Sequence, residues 1–129
     1  MADCLQVTTT LPDRAAADRL ATRVVEERLA ACAHVVGPVA STYRWQGGVE
    51  RAQEWYCHLK TTAGRLPALI ARVRELHTYE VPEIVATAIV GGDPAYLRWI
   101  EESVAPTLPA PGQRPARAGE PLEEPDDLR

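Results

Sequence analysis

The sequence predicts an α+β domain of the ferredoxin-like kind, βαββαβ with an added C-terminal helix and a long central hairpin. Three observations carry this prediction. Segments of strand and helix character follow one another in that order along the chain. A glycine-rich tip, Gln46-Gly47-Gly48, joins two long β-rich runs into a hairpin. The βαβ-type halves on either side of it then call for the split arrangement, an antiparallel sheet with helices on one face.

Residues 5–10 alternate Leu5, Val7, Thr9 against Gln6, Thr8, Thr10, the period of a strand. Pro12 stops it, and Asp13 is placed to cap a helix. Ala17, Leu20, Ala21, Val24 and Val25 recur at helical spacing opposite Asp18, Arg19, Arg23 and Glu27, so an amphipathic helix ends near residues 28–30. Residues 31–45 read as a strand broken by Gly37-Pro38, and residues 49–61 as its return. In the return strand Trp55, Cys57 and Leu59 share one face, with Glu54, Tyr56, His58 and Lys60 on the other. Leu66, Leu69, Ile70, Val73 and Leu76 set a second helix, and residues 84–90 a fourth strand. Gly91-Gly92-Asp93-Pro94 supplies a turn, a cap and a first-turn proline for a third helix bearing Tyr96, Trp99, Ile100 and Val104.

The predicted domain covers residues 1–104. From residue 105 onward six of the last 25 residues are proline and the end is acidic, which predicts a disordered tail over 105–129. With 129 residues, 46% hydrophobic and 25% charged, the chain has the composition of one soluble domain. A net charge of −4 without a basic block argues against nucleic acid as a partner. No apolar run approaches the ~20 residues that span a bilayer, so no membrane association is expected. The first residues lack a secretory signal, and three cysteines without a C-x-x-C pair suit free thiols in a reducing compartment. The expected location is the cytoplasm.

The hairpin is too long for one subunit. Fully extended, residues 31–45 would run about 50 Å at ~3.3 Å per residue. A domain of this size is roughly 33 Å across, from a radius of gyration of ~13 Å. The tip, with Tyr43 and Trp45, therefore projects. A lone two-stranded ribbon is marginal in water, which predicts a homo-oligomer whose hairpins pair with neighbouring sheet edges.

The segment 77–83, His-Thr-Tyr-Glu-Val-Pro-Glu, collects an imidazole, a phenol and two carboxylates on a helix-to-strand connector. Pro82 biases Val81 away from helix, and polar connectors face solvent or a cleft. Two readings compete: a functional site, or a turn in which His77 caps the preceding helix. As a site, His77 with Glu80 or Glu83 suits copper(II) or nickel(II). Centring the hairpin on Gly47 sets His58 opposite Val36 and His34 opposite Lys60, and no four ligands have the spacing of a structural zinc site. No nucleophile motif, phosphate loop or dinucleotide fingerprint is present, so neither an enzyme nor an organic cofactor is expected.

Several segments taken together resemble the CutA divalent-cation tolerance proteins. They are Glu27-Arg28-Leu29-Ala30-Ala31-Cys32, Ser41-x-Tyr43-x-Trp45-x-Gly47, Glu54, Lys60-Thr61, His77-x-Tyr79-x-x-Pro82-Glu83 and Tyr96-x-x-Trp99. The resemblance runs from Leu5 to Val104. It implies a homotrimer built by the projecting hairpins, similar in shape to PII-like signalling trimers, with a role in tolerance to copper and other divalent metals. It also implies an inter-subunit cleft lined by Lys60, His77, Tyr79 and Glu83, with His77 at the position associated with copper(II). The two partner positions of that metal set carry Thr9 and Leu76 here. The alternative function is a small-molecule-binding trimer in which Lys60 and His77 hold an anionic ligand.

Overall fold

Residues 3–106 are described in a computed structural model of the chain. Their elements run β1 (Cys4–Leu11), α1 (Arg14–Glu26), β2 (Cys32–Trp45), β3 (Gly48–Thr62), α2 (Leu66–Leu76), β4 (Ile84–Ala88) and α3 (Pro94–Ser103). The sheet order is β2-β3-β1-β4, with every neighbouring pair antiparallel. Thus β3 lies between the strands of the first βαβ half and β1 between those of the second, as the element order predicts. The tail predicted for 105–129 lies outside the described residues, apart from its first two. Among the described residues no helix is long and apolar enough to cross a membrane.

Local chemistry sets most of the boundaries. The Asp13 carboxylate accepts from the Ala16 N–H at 2.8 Å and starts α1, and Asp93 does the same for α3 through the Tyr96 N–H at 3.1 Å. Helix α1 stops at Glu26, two residues before the predicted end. Arg28 turns into the left-handed region at φ 60°, and the Leu29 and Ala30 N–H groups both donate to the Val24 carbonyl. Strand β4 ends at Ala88, short of the predicted Val90, whose side chain is 99% exposed.

Helices α1 and α2 cover one face of the sheet. Val7 and Leu59 from the strands meet Leu20 and Val24 of α1 and Leu69 and Val73 of α2, all nearly or fully buried. Cys57 lies in the same cluster, and burial pushes its thiol up to about 12, as expected for a small structural hydrophobe. Helix α3 departs from the one-sided expectation. Its Ile100 clusters with Cys4, and the Tyr96 hydroxyl meets the Cys32 thiol at 3.4 Å. Strand side chains alternate between faces, so these contacts place α3 on the opposite face from Val7 and Leu59.

The hairpin register corrects the sequence reading. Its tip centres on Gln46 and Gly47, both at positive φ (49° and 83°), so Trp45 pairs with Gly48. A bulge then sets Gly37 and Pro38 together against Trp55, between the pairs Val36–Tyr56 and Val39–Glu54. A Cβ on Gly37 would lie 2.6 Å from the indole Cγ and 2.9 Å from Nε1, so only glycine lets the ring cross here. The combined shift is two residues. His34 therefore faces His58 directly, and Cys32, not His34, faces Lys60.

Strand β3 pairs with β1 only as far as Trp55, opposite Leu11. Beyond that point residues 39–54 form a two-stranded ribbon, as the length argument requires. Tyr43 and Val49 on this ribbon are 41% and 63% exposed.

Candidate functional site

The connector 77–83 leaves α2 in an extended conformation, with His77 at φ −83° and ψ 144°. Its backbone N–H still closes the helix onto the Arg74 carbonyl, so His77 does terminate the helix, through the main chain. The side chain turns back to β1. Nε2 lies 2.7 Å from the Thr10 carbonyl, and Nδ1 lies 3.2 Å from the Tyr79 backbone nitrogen. A carbonyl can only accept and a backbone N–H can only donate. The neutral ring therefore carries its proton on Nε2, and its one lone pair, on Nδ1, accepts from Tyr79. The Tyr79 ring sits 4.8 Å from the imidazole, and its hydroxyl donates to Glu54 Oε2 at 2.8 Å. Thr10, His77, Tyr79 and Glu54 thus form a relay of contacts tying the connector to the end of β1 and to the base of the ribbon.

This relay borders a concavity of about 900 Å³, lined by Tyr43, Trp45, Glu50, Glu54, Tyr79 and Glu83 among others. Glu80 adds a fourth carboxylate, and Arg44 is the one lysine or arginine among the described lining residues. The local field is therefore negative and favours cations over anions. Burial, and next the Glu54 carboxylate, push the Tyr79 phenol well above its ordinary value, so it stays a hydrogen-bond donor.

Of the residues singled out in the sequence, Tyr43, Trp45, Tyr79 and Glu83 meet at the concavity. His77 stands behind Tyr79 rather than among the lining residues. Lys60 is not brought to them within a subunit. It lies six residues along β3 from Glu54, about 20 Å away at ~3.3 Å per residue, facing Cys32 and Gln6. Glu54 and Glu50 were missing from the predicted site set. Glu54 shares a strand face with Tyr56, His58 and Lys60, but only the folded connector shows that Tyr79 reaches it.

The metal expectation for His77 concerns a cleft between subunits, and the described residues of one subunit alone supply no ligand set for it. Both ring nitrogens are engaged, Thr9 is fully buried, and no three His, Cys, Asp or Glu side chains converge among the described residues. The residues of one subunit therefore do not fit a copper ion held by His77.

His77 and His58 are both held below the ordinary histidine value of about 6.5. Burial is the main cause at each. At His77 the Thr10 carbonyl and Glu54 oppose it, and at His58 Lys60 adds to it while Glu83 opposes it. In the unfolded chain both rings bind protons near pH 6.5, whereas the folded protein binds them only at lower pH. Below about pH 6.5 the unfolded state therefore holds more protons, and stability falls as pH falls. Urea titrations between about pH 7 and 5 should show this loss, with a shallower slope in His58→Gln/His77→Gln. An unchanged slope in that variant would contradict the assignment.

Comparison with known proteins places these features in a family. The model described as CutA1 divalent ion tolerance protein matches residues 5–103. The divalent-cation tolerance protein CutA of Thermus thermophilus is 47% identical over 94 residues, which is 73% of this chain and 91% of that protein. The mouse protein CutA is 39% identical over 93 residues, 72% of this chain, which spans about half (52%) of the mouse protein's length. A crystal structure of CutA1 from Oryza sativa superposes with a TM-score of 0.79 at 36% identity, covering 82% of this chain and 97% of that one.

Proposed function

Because the chain belongs to the CutA1 divalent ion tolerance family, we propose that it acts in divalent-metal tolerance as a non-enzymatic cytoplasmic homotrimer. Neighbouring subunits complete its working site at the concavity beneath the hairpin. The observation that carries this reading is the ribbon of residues 39–54, which extends past the sheet beside an acidic concavity. A two-stranded ribbon is marginally stable alone and gains most by pairing with another chain. The surrounding carboxylates are hard oxygen donors that attract divalent cations. Lys60 and His77, which an anionic ligand would need together, are apart within a subunit, and the negative lining opposes such a ligand. The three cysteines are not joined in disulfides and two of them are buried, which suits a reducing compartment.

Sedimentation velocity tests the assembly. The expected species at micromolar concentration is a trimer, and Tyr43→Ala/Trp45→Ala should shift it toward smaller forms. A wild-type monomer at that concentration would overturn the proposal.

A further inference from the structure

The face of the sheet opposite α1 and α2 carries a second histidine arrangement, which adjoins the concavity through Tyr56. His34 on β2 and His58 on β3 are direct cross-strand partners. Side chains opposite one another in an antiparallel pair stand on the same face, with Cβ atoms about 4.5–5.5 Å apart. His34 is exposed and His58 half-buried, so the pair meets solvent from one side. The third strand adds an orienting group, since Thr8 faces His58 across β1 and β3 and its Oγ1 lies 3.0 Å from the His58 Nδ1. Tyr56 stacks on the same imidazole, with centroids 5.2 Å apart and planes 18° from parallel. The ring of His58 is thereby fixed in orientation by a hydroxyl at one nitrogen and an aromatic face.

We propose that His34 and His58 form a bidentate imidazole site for a divalent transition-metal ion, copper(II) foremost. Metal–nitrogen bonds of about 2.0–2.1 Å require two ligating nitrogens roughly 3 Å apart, a spacing that directly opposed side chains on neighbouring strands can reach. The Thr8 hydroxyl can donate to Nδ1 or accept from it; in the tautomer where it accepts from Nδ1–H, the His58 lone pair falls on Nε2, the usual way an outer partner sets the ligating tautomer. Two imidazoles with the remaining positions left to water favour copper(II), the strongest binder of the divalent series at nitrogen sites. Lys60, two residues along the same strand face, weakens the attraction, and the Glu83 carboxylate acts on His58 in the opposite sense. The site deepens the metal-tolerance reading by naming a ligand pair, but it does not rest on the concavity.

Copper(II) titration of the full-length chain without a polyhistidine tag, followed by affinity competition and electron paramagnetic resonance, tests this. The expected spectrum shows two coordinating nitrogens. His34→Gln and His58→Gln should each lower affinity at least roughly tenfold, because a second ligand on the same scaffold binds at high effective concentration. Each should also leave one nitrogen in the spectrum. Thr8→Val should weaken binding about tenfold through the lost outer contact, and His77→Gln should leave it unchanged. Wild-type affinity in His34→Gln and His58→Gln, or loss confined to His77→Gln, would overturn the proposal. If His58→Gln fails to fold, the exposed His34 carries the test alone. Such a failure would still leave metal tolerance to be judged separately, by growth under metal stress.

Discussion

Leu59→Ala is expected to lower the free energy of unfolding by about 2–5 kcal/mol, the usual range for removing a fully buried leucine. Leu59 is 0% exposed and sits in β3, a central strand of the sheet. It pairs with Val7 on β1 and Ala33 on β2, and belongs to the cluster that includes Val24 of α1 and Leu69 and Val73 of α2. These surroundings are tied by strand pairing on both sides, so they can collapse little into the space left behind. The midpoint of urea unfolding should fall with little change in slope. Thermal unfolding should drop by roughly 4–8 °C for each kcal/mol in a domain of this size. A loss below about 1 kcal/mol would mean that Leu59 is not held in a close-packed core.

Tyr79→Phe is expected to cost about 1.5–3 kcal/mol, the range for a hydrogen bond to a charged group. The phenol donates to Glu54 Oε2 at 2.8 Å, and Glu54 is only 8% exposed. Phenylalanine keeps the ring contact with His77 but leaves a largely buried carboxylate without that donor. Glu54→Gln should be milder, because the amide oxygen still accepts from the phenol. Urea unfolding of the two variants, side by side with wild type, measures the difference. Equal stability of Tyr79→Phe and wild type would show that the connector is not anchored to the ribbon through this bond.

Features written by local chemistry were legible in the sequence. The spacing of Leu66, Leu69, Val73 and Leu76 marks α2, and Asp13 and Asp93 declare their caps through side-chain type alone. Glycine at the hairpin tip marks a turn in which both central residues take positive φ. Features that depend on contacts across strands were not legible. The Gly37-Pro38 bulge inserts an extra residue against Trp55, so a register counted from the tip fails at His34 and His58. Arg28 at φ 60° ends α1 with no glycine to signal it. The connector illustrates both sides. Its composition marks a polar segment next to a concavity, yet residue type cannot show that the Thr10 carbonyl and the Tyr79 N–H already occupy both nitrogens of His77. Nor does it show that Glu54, 25 residues earlier in the chain, is the partner of Tyr79.

The acidic concavity and the opposed histidine pair adjoin each other on one face of the sheet, where Tyr56 lines the first and stacks on the second, and they favour cations through different donors, carboxylate oxygen at one and imidazole nitrogen at the other. Growth of a strain lacking this gene, in graded copper(II) and other divalent metals, tests the proposed role most directly. The account expects inhibition at lower copper(II) concentrations than in the parent, reversed by the wild-type gene. Identical growth of the deleted and parent strains across copper(II) and the other divalent metals would contradict it.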